Sequence, residues 1–112
     1  MADWKASLEK EFQMAANARA RDNEGQARVC ARRAAGIAIR EYLARRGIKP
    51  RSPSAVELLK TLIDLPDAPA AARRSAEYLT LRVNEAFELP AGVDLIREAR
   101  RLCEALLPAE LK

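Results

Sequence analysis

The side chains best equipped for chemistry lie in one stretch, Gly25 to Gly47: Arg28, Arg32, Arg33, Arg40 and Arg46. A guanidinium grips phosphate oxygens two at a time, so these residues are candidates for binding a phosphate group or a partner protein. A solvated basic face is the plainer explanation of them. The only acid in the stretch is Glu41, which falls near the centre of an apolar face, one turn before Arg45. A carboxylate there needs a partner, and Glu before Arg at this spacing is the favourable order for an ion pair at the helix end. A ligand-binding carboxylate is the alternative.

The rest of the chain offers little to a catalyst. It contains no histidine, which excludes Ser-His-Asp and Cys-His catalysis, histidine-bound metals and histidine acid–base chemistry. No glycine-rich loop followed by lysine cradles a phosphate, and no inward Glu-x-x-His pair is present to hold a di-iron centre. Cys30 and Cys103 lie far apart, each on the apolar side of a helical pattern. They read as buried free thiols rather than as a disulfide framework or a metal site. No catalytic residue, metal ligand or cofactor is therefore expected.

Positioning these side chains falls to helices. Alanine, leucine, arginine and glutamate dominate, only four glycines occur, and the 112 residues suit one domain. Charge is uneven: residues 1–51 carry 12 Lys and Arg against 6 Asp and Glu, the remainder 8 against 10. A basic half invites a phosphate-bearing partner. Five aromatics give little for bases to stack on, which weakens RNA recognition. The N-terminus lacks the apolar core of a signal peptide, and no run is long enough to span a membrane. A cytoplasmic protein is expected.

Helix one begins after a capping Asp3 and runs to Arg21, with Trp4, Leu8, Phe12, Ala15 and Ala18 on one face. Helix two, capped by Asn23, places Ala27, Cys30, Ala31, Ala34, Ile37, Ala38 and Tyr42 on a broad apolar face. Val29, Gly36, Ile39 and Leu43 form a second stripe on its other side. After the proline-bearing connector Ile48–Pro53, Ser54 and Glu57 read as a capping box for a short helix through Ile63. Helix four spans Ala70–Phe87, with Tyr78 and Leu81 on a face expected to be wet. Helix five spans Val93–Leu107, and the residues after Pro108 are expected to fray. Short connections imply an all-α, up-and-down four-helix bundle with one short extra helix. The proline-rich connector argues against a helix-turn-helix.

Ala27-Arg-Val-Cys-Ala-Arg-Arg-Ala-Ala, Ile39-Arg-Glu-Tyr-Leu-Ala-Arg-Arg-Gly47, Val56-Glu-Leu-Leu-Lys-Thr-Leu62 and Arg82-Val-Asn-Glu come in an order that resembles the HEPN superfamily. The likeness covers nearly the whole chain, residues 1–112, as a single HEPN-like helical domain. It implies a dimeric bundle associated with RNA cleavage or with a nucleotidyltransferase partner. Catalytic members carry an arginine followed after four to six residues by histidine. The counterpart here is Arg82, with Phe87, Glu88 or Leu89 where histidine would stand, so no nuclease activity carries over. The resulting expectation is a non-catalytic module that binds a partner protein or a nucleotide-type ligand. A basic nucleic-acid-binding protein using helix two is the alternative. Val29, Gly36, Ile39, Leu43, Tyr78 and Leu81 are the expected interface of a homodimer.

Overall fold

The structure, a computed structural model, describes residues 3–81 and 93–111, with Leu111 described in backbone alone. Six helices and no strand occur among the described residues: α1 (Trp4–Ala20), α2 (Glu24–Arg45), α3 (Ala55–Ile63), α4 (Ala70–Leu79), α5 (Leu95–Leu106) and α6 (Pro108–Leu111). The all-α helical bundle expected from composition is the fold observed.

The first two helices form a hairpin whose turn is written in three residues. Asp22 adopts a left-handed φ of 60°, which lets Asn23 N–H donate to Ala18 O (2.8 Å) and Asp22 N–H to Arg19 O (3.0 Å). These bonds close α1 in a Schellman arrangement. The Asn23 side chain then accepts from Gln26 N–H at 3.2 Å and starts α2. Gly47, at φ 70°, ends α2 by the same device: Ile48 N–H donates to Leu43 O (2.9 Å) and Gly47 N–H to Ala44 O (3.1 Å).

At about 33 Å by its length, α2 is the axis of the bundle, in contact with α1, α3 and α5, while α4 packs on α3 and α5. Both of its apolar faces are used. Ala27, Cys30, Ala31, Ala34 and Ala38 are fully buried, as are Ile39 and Leu43 from the second stripe. Gly36 is the point of closest approach. A Cβ built there would lie 3.4 Å from Ala55 and 3.6 Å from Leu58 Cδ1, so α3 seats directly on a position without a side chain. Phe12, Leu59, Leu62, Leu79, Leu102 and Leu106 join the same core, with Trp4 packed against it from the edge.

Four local expectations are corrected. Neither Asp3 nor Ser54 makes a side-chain cap bond; at α3, Ser54 N–H instead donates to Ser52 Oγ at 3.1 Å. α4 stops at Leu79 rather than continuing to Phe87, and Arg32 binds the Leu79 carbonyl (2.8 Å) that the helix end leaves without a backbone donor. Val83 and the remainder of that expected helix, through Phe87, lie outside the described residues. α5 begins at Leu95, where Asp94 Oδ1 accepts from Ile96 and Arg97 N–H. The end of the chain forms α6 in place of a frayed tail. Glu110 binds Arg45 Nη1 at 2.7 Å, and Arg45 also holds Glu41 at 2.8 Å and lies 5.8 Å from the centre of the Trp4 ring. The expected Glu41–Arg45 ion pair is thus one part of a clasp that ties α2 to α6.

Candidate functional site

The α2 arginines do not form one row. Arg32 lies half-buried against the end of α4, with Nε on Leu79 O and Nη2 on Leu81 O at 3.3 Å. Its cation faces the negative end of that helix. Burial first, and the neighbouring Arg28 charge second, lower the guanidinium below its ordinary value. Arg33 pairs with Glu11 of α1 at 3.1 Å. Arg46 lies over the Tyr42 ring, 4.6 Å from its centre. Arg28 is part-buried. Arg40 is exposed at a shallow cleft of about 190 Å³ shared with Arg33, Ile37 and Pro53. Arg28, Arg32 and Arg46 thus point one way along α2, and Arg33 and Arg40 another.

The expected dimer stripe is also divided. Gly36, Ile39 and Leu43 are buried within the chain itself, which corrects their assignment to an intermolecular surface; at Gly36 it is Ala55 and Leu58 of the short α3 that lie against the helix. Val29 stays 42% exposed and Tyr78 36%. Leu81 is part-buried and lends its carbonyl to Arg32. Arg82, Phe87, Glu88 and Leu89 lie outside the described residues.

A feature that sequence reasoning missed sits between α4 and α5. An open groove of about 710 Å³ runs along them, with Ala71, Tyr78, Val93, Ala105 and Pro108 supplying apolar surface and Arg74, Arg97 and Arg101 the cations. Beneath it, Glu98 is 5% exposed. Its Oε1 accepts the Ser75 hydroxyl at 3.0 Å and its Oε2 accepts Arg101 Nη1 at 3.1 Å. A buried carboxylate requires such donors. The signal was present in the register. Ser75 occupies the apolar stripe Ala72, Ala76, Leu79, and Glu98 the stripe Leu95, Ala99, Leu102. Two polar residues on facing core stripes must find each other or water.

A second polar cluster fixes the far end of α5. Arg19 at the end of α1 binds Glu24 (2.6 Å) and Asp94 (3.1 Å) together. The Arg19 hydrogen bond, opposed by burial, holds the Glu24 carboxyl below its ordinary range. Burial pushes the Asp94 carboxyl up, but the Arg19 bond and the Arg97 and Ile96 amides outweigh it and leave it lowered.

Both Glu98 oxygens are engaged, one by the Ser75 hydroxyl and the other by Arg101. Burial pushes the Cys103 thiol up to about 12, so it is protonated at neutral pH. Among the described residues, no group of three or more His, Cys, Asp or Glu side chains lies close enough to hold a metal ion, and no helix is long and apolar enough to cross a membrane. No family model, curated protein or solved structure matches this chain.

Proposed function

We propose that this chain is a non-catalytic, HEPN-like binding module that engages a partner protein through the α4–α5 groove. The observation that carries this is the groove itself. Its volume of about 710 Å³ falls within the ordinary range for recognition sites, roughly 300–1,000 Å³. It combines an exposed tyrosine with three arginines, the residue types that most often anchor interfaces. The buried Ser75–Glu98 bond ties the two walls of the groove together, with the exposed Arg101 closing over Glu98. A nucleotidyltransferase-type partner is the one the family likeness supports. A nucleotide-type ligand is the second reading, favoured by the same three guanidinium groups. Homodimerisation belongs to the same proposal, because Tyr78 and the neighbouring Leu81 remain partly open while Gly36, Ile39 and Leu43 do not. Nucleic-acid binding by α2 rests on the exposed Arg40 above all, since Arg32, Arg33 and Arg46 already have partners within the chain.

A photo-crosslinking residue placed at Tyr78, and separately at Arg40, tests the choice in living cells. The groove reading expects a discrete protein adduct from Tyr78 and none from Arg40. Adducts from Arg40 alone, to protein or nucleic acid, would move the binding face to α2.

A further inference from the structure

Accepting the groove as the binding face, we infer that Arg32 is a positioning residue for it: by holding the backbone just after Tyr78, its guanidinium fixes where the Tyr78 ring stands. Tyr78 lies in the last turn of α4 and is the exposed aromatic side chain of the groove wall. That turn closes on itself only in part. Thr80 N–H donates to Ala76 O at 3.1 Å, Thr80 Oγ1 to Glu77 O at 2.8 Å, and Leu81 N–H to Tyr78 O at 3.2 Å. Arg32 meets the Leu79 and Leu81 carbonyls beyond them, with Nε at 2.8 Å and Nη2 at 3.3 Å. A planar fork of donors suits two carbonyls at once, where an ammonium offers a single point. The cation also complements the negative end of the helix.

The anchor is rigid and the held segment is not. Ala31, Ala34 and Ala35 around Arg32 are fully buried, and α2 packs against α1, α3 and α5. α4 packs chiefly on α3 and α5, and the Arg32 side chain ties its end to α2. Helix ends open at low cost compared with the core. Each residue stands about 100° round the axis from the last, so unwinding this turn by one residue swings the Tyr78 ring off the groove wall. Arg32 therefore acts on binding through Tyr78, without touching what the groove holds.

Fluorine NMR of the full chain labelled with fluorotyrosine tests this. The chain has two tyrosines, Tyr42 buried and Tyr78 exposed, and Tyr42→Phe and Tyr78→Phe assign their resonances. Arg32→Met keeps the apolar stem and removes the donors; Arg32→Lys keeps the charge and removes the fork, and serves alone if melting shows that Arg32→Met is unfolded. Losing the bonds of a charged donor shifts a local equilibrium about tenfold or more. Both variants are expected to move or broaden the Tyr78 resonance, Arg32→Met the more, with Tyr42 left in place. The adduct formed in cells from a photo-crosslinking residue at Tyr78 should fall in yield in the same order. A Tyr78 resonance unmoved in every folded variant, whatever the change in Tm, overturns the inference and leaves Arg32 a purely stabilising part. An undiminished adduct with the resonance displaced overturns it as well. If the resonance moves but position 78 crosslinks nothing even beside an intact Arg32, the positioning stands and the functional reading of the groove fails.

Discussion

Gly36 is where the division between core and surface can be measured. A methyl group added there would stand 3.4 Å from Ala55 and 3.6 Å from Leu58, ordinary contact rather than collision. Gly36→Ala therefore removes the backbone freedom of a mid-helix glycine, about 0.5–1 kcal/mol, without a packing penalty. Unfolding entropy of roughly 2.1 cal/mol/K per residue over 112 residues converts this into a rise in Tm of about 2–4 °C. Gly36→Leu must place three further carbons where α3 already sits, and overpacking of this kind costs about 1–3 kcal/mol. Its Tm should fall by about 4–13 °C on the same scale. Thermal melts by far-UV circular dichroism at two protein concentrations measure both. A Leu variant as stable as wild type would show that α3 does not cover the stripe, and would return Gly36, Ile39 and Leu43 to an intermolecular surface. An Ala variant that loses stability would mean that the helices approach more closely than 3.4 Å.

Three further outcomes follow from the polar clusters. Ser75→Ala leaves Glu98 Oε1 buried without a donor and should cost about 1–2 kcal/mol in urea unfolding; adding Glu98→Leu should restore most of it, whereas two additive losses would refute the coupling. Glu24 and Asp94 both titrate below their ordinary values of 4.5 and 3.8, so the unfolded chain binds protons that the native state refuses. Their contribution is complete above those ordinary values and is lost as pH falls through the lowered native ones. The Tm gap between wild type and Arg19→Ala should therefore narrow as pH falls from neutral to about 3, and a constant gap would contradict it. With Cys30 and Cys103 both buried and the Cys103 thiol raised to about 12, a thiol reagent at neutral pH should titrate neither cysteine in the folded chain and both in denaturant. Rapid labelling of either in the native state would place it at the surface.

The bundle was legible because small residues recur on two sides of one helix. The alanines from Ala27 to Ala38 mark α2 as central, and Asn23 and Gly47 mark its ends. What covers the second stripe was not legible. A nine-residue α3 or a second copy would satisfy Gly36, Ile39 and Leu43 equally, and only the path of the connector after Gly47 decides between them. The end of α4 was hidden for a related reason: the donor that meets its Leu79 carbonyl is Arg32, a residue 47 positions earlier. The arginines looked like one basic face in sequence because their number is conspicuous, yet their partners come from three places in the chain: Glu11, Tyr42, and the Leu79 and Leu81 carbonyls. The floor of the groove was legible only in register, where Ser75 and Glu98 each stand alone among apolar core positions.

The central claim, that this chain binds through the α4–α5 groove and not through the α2 arginines, is tested most directly by co-purification of the tagged chain with its cellular partner. Wild type is compared with Tyr78→Glu and with the double change Arg33→Glu/Arg40→Glu, all verified as folded by melting. Tyr78→Glu should lose the partner while the double variant retains it at the wild-type level. Retention by Tyr78→Glu together with loss in the double variant would contradict the claim and place the binding face on α2.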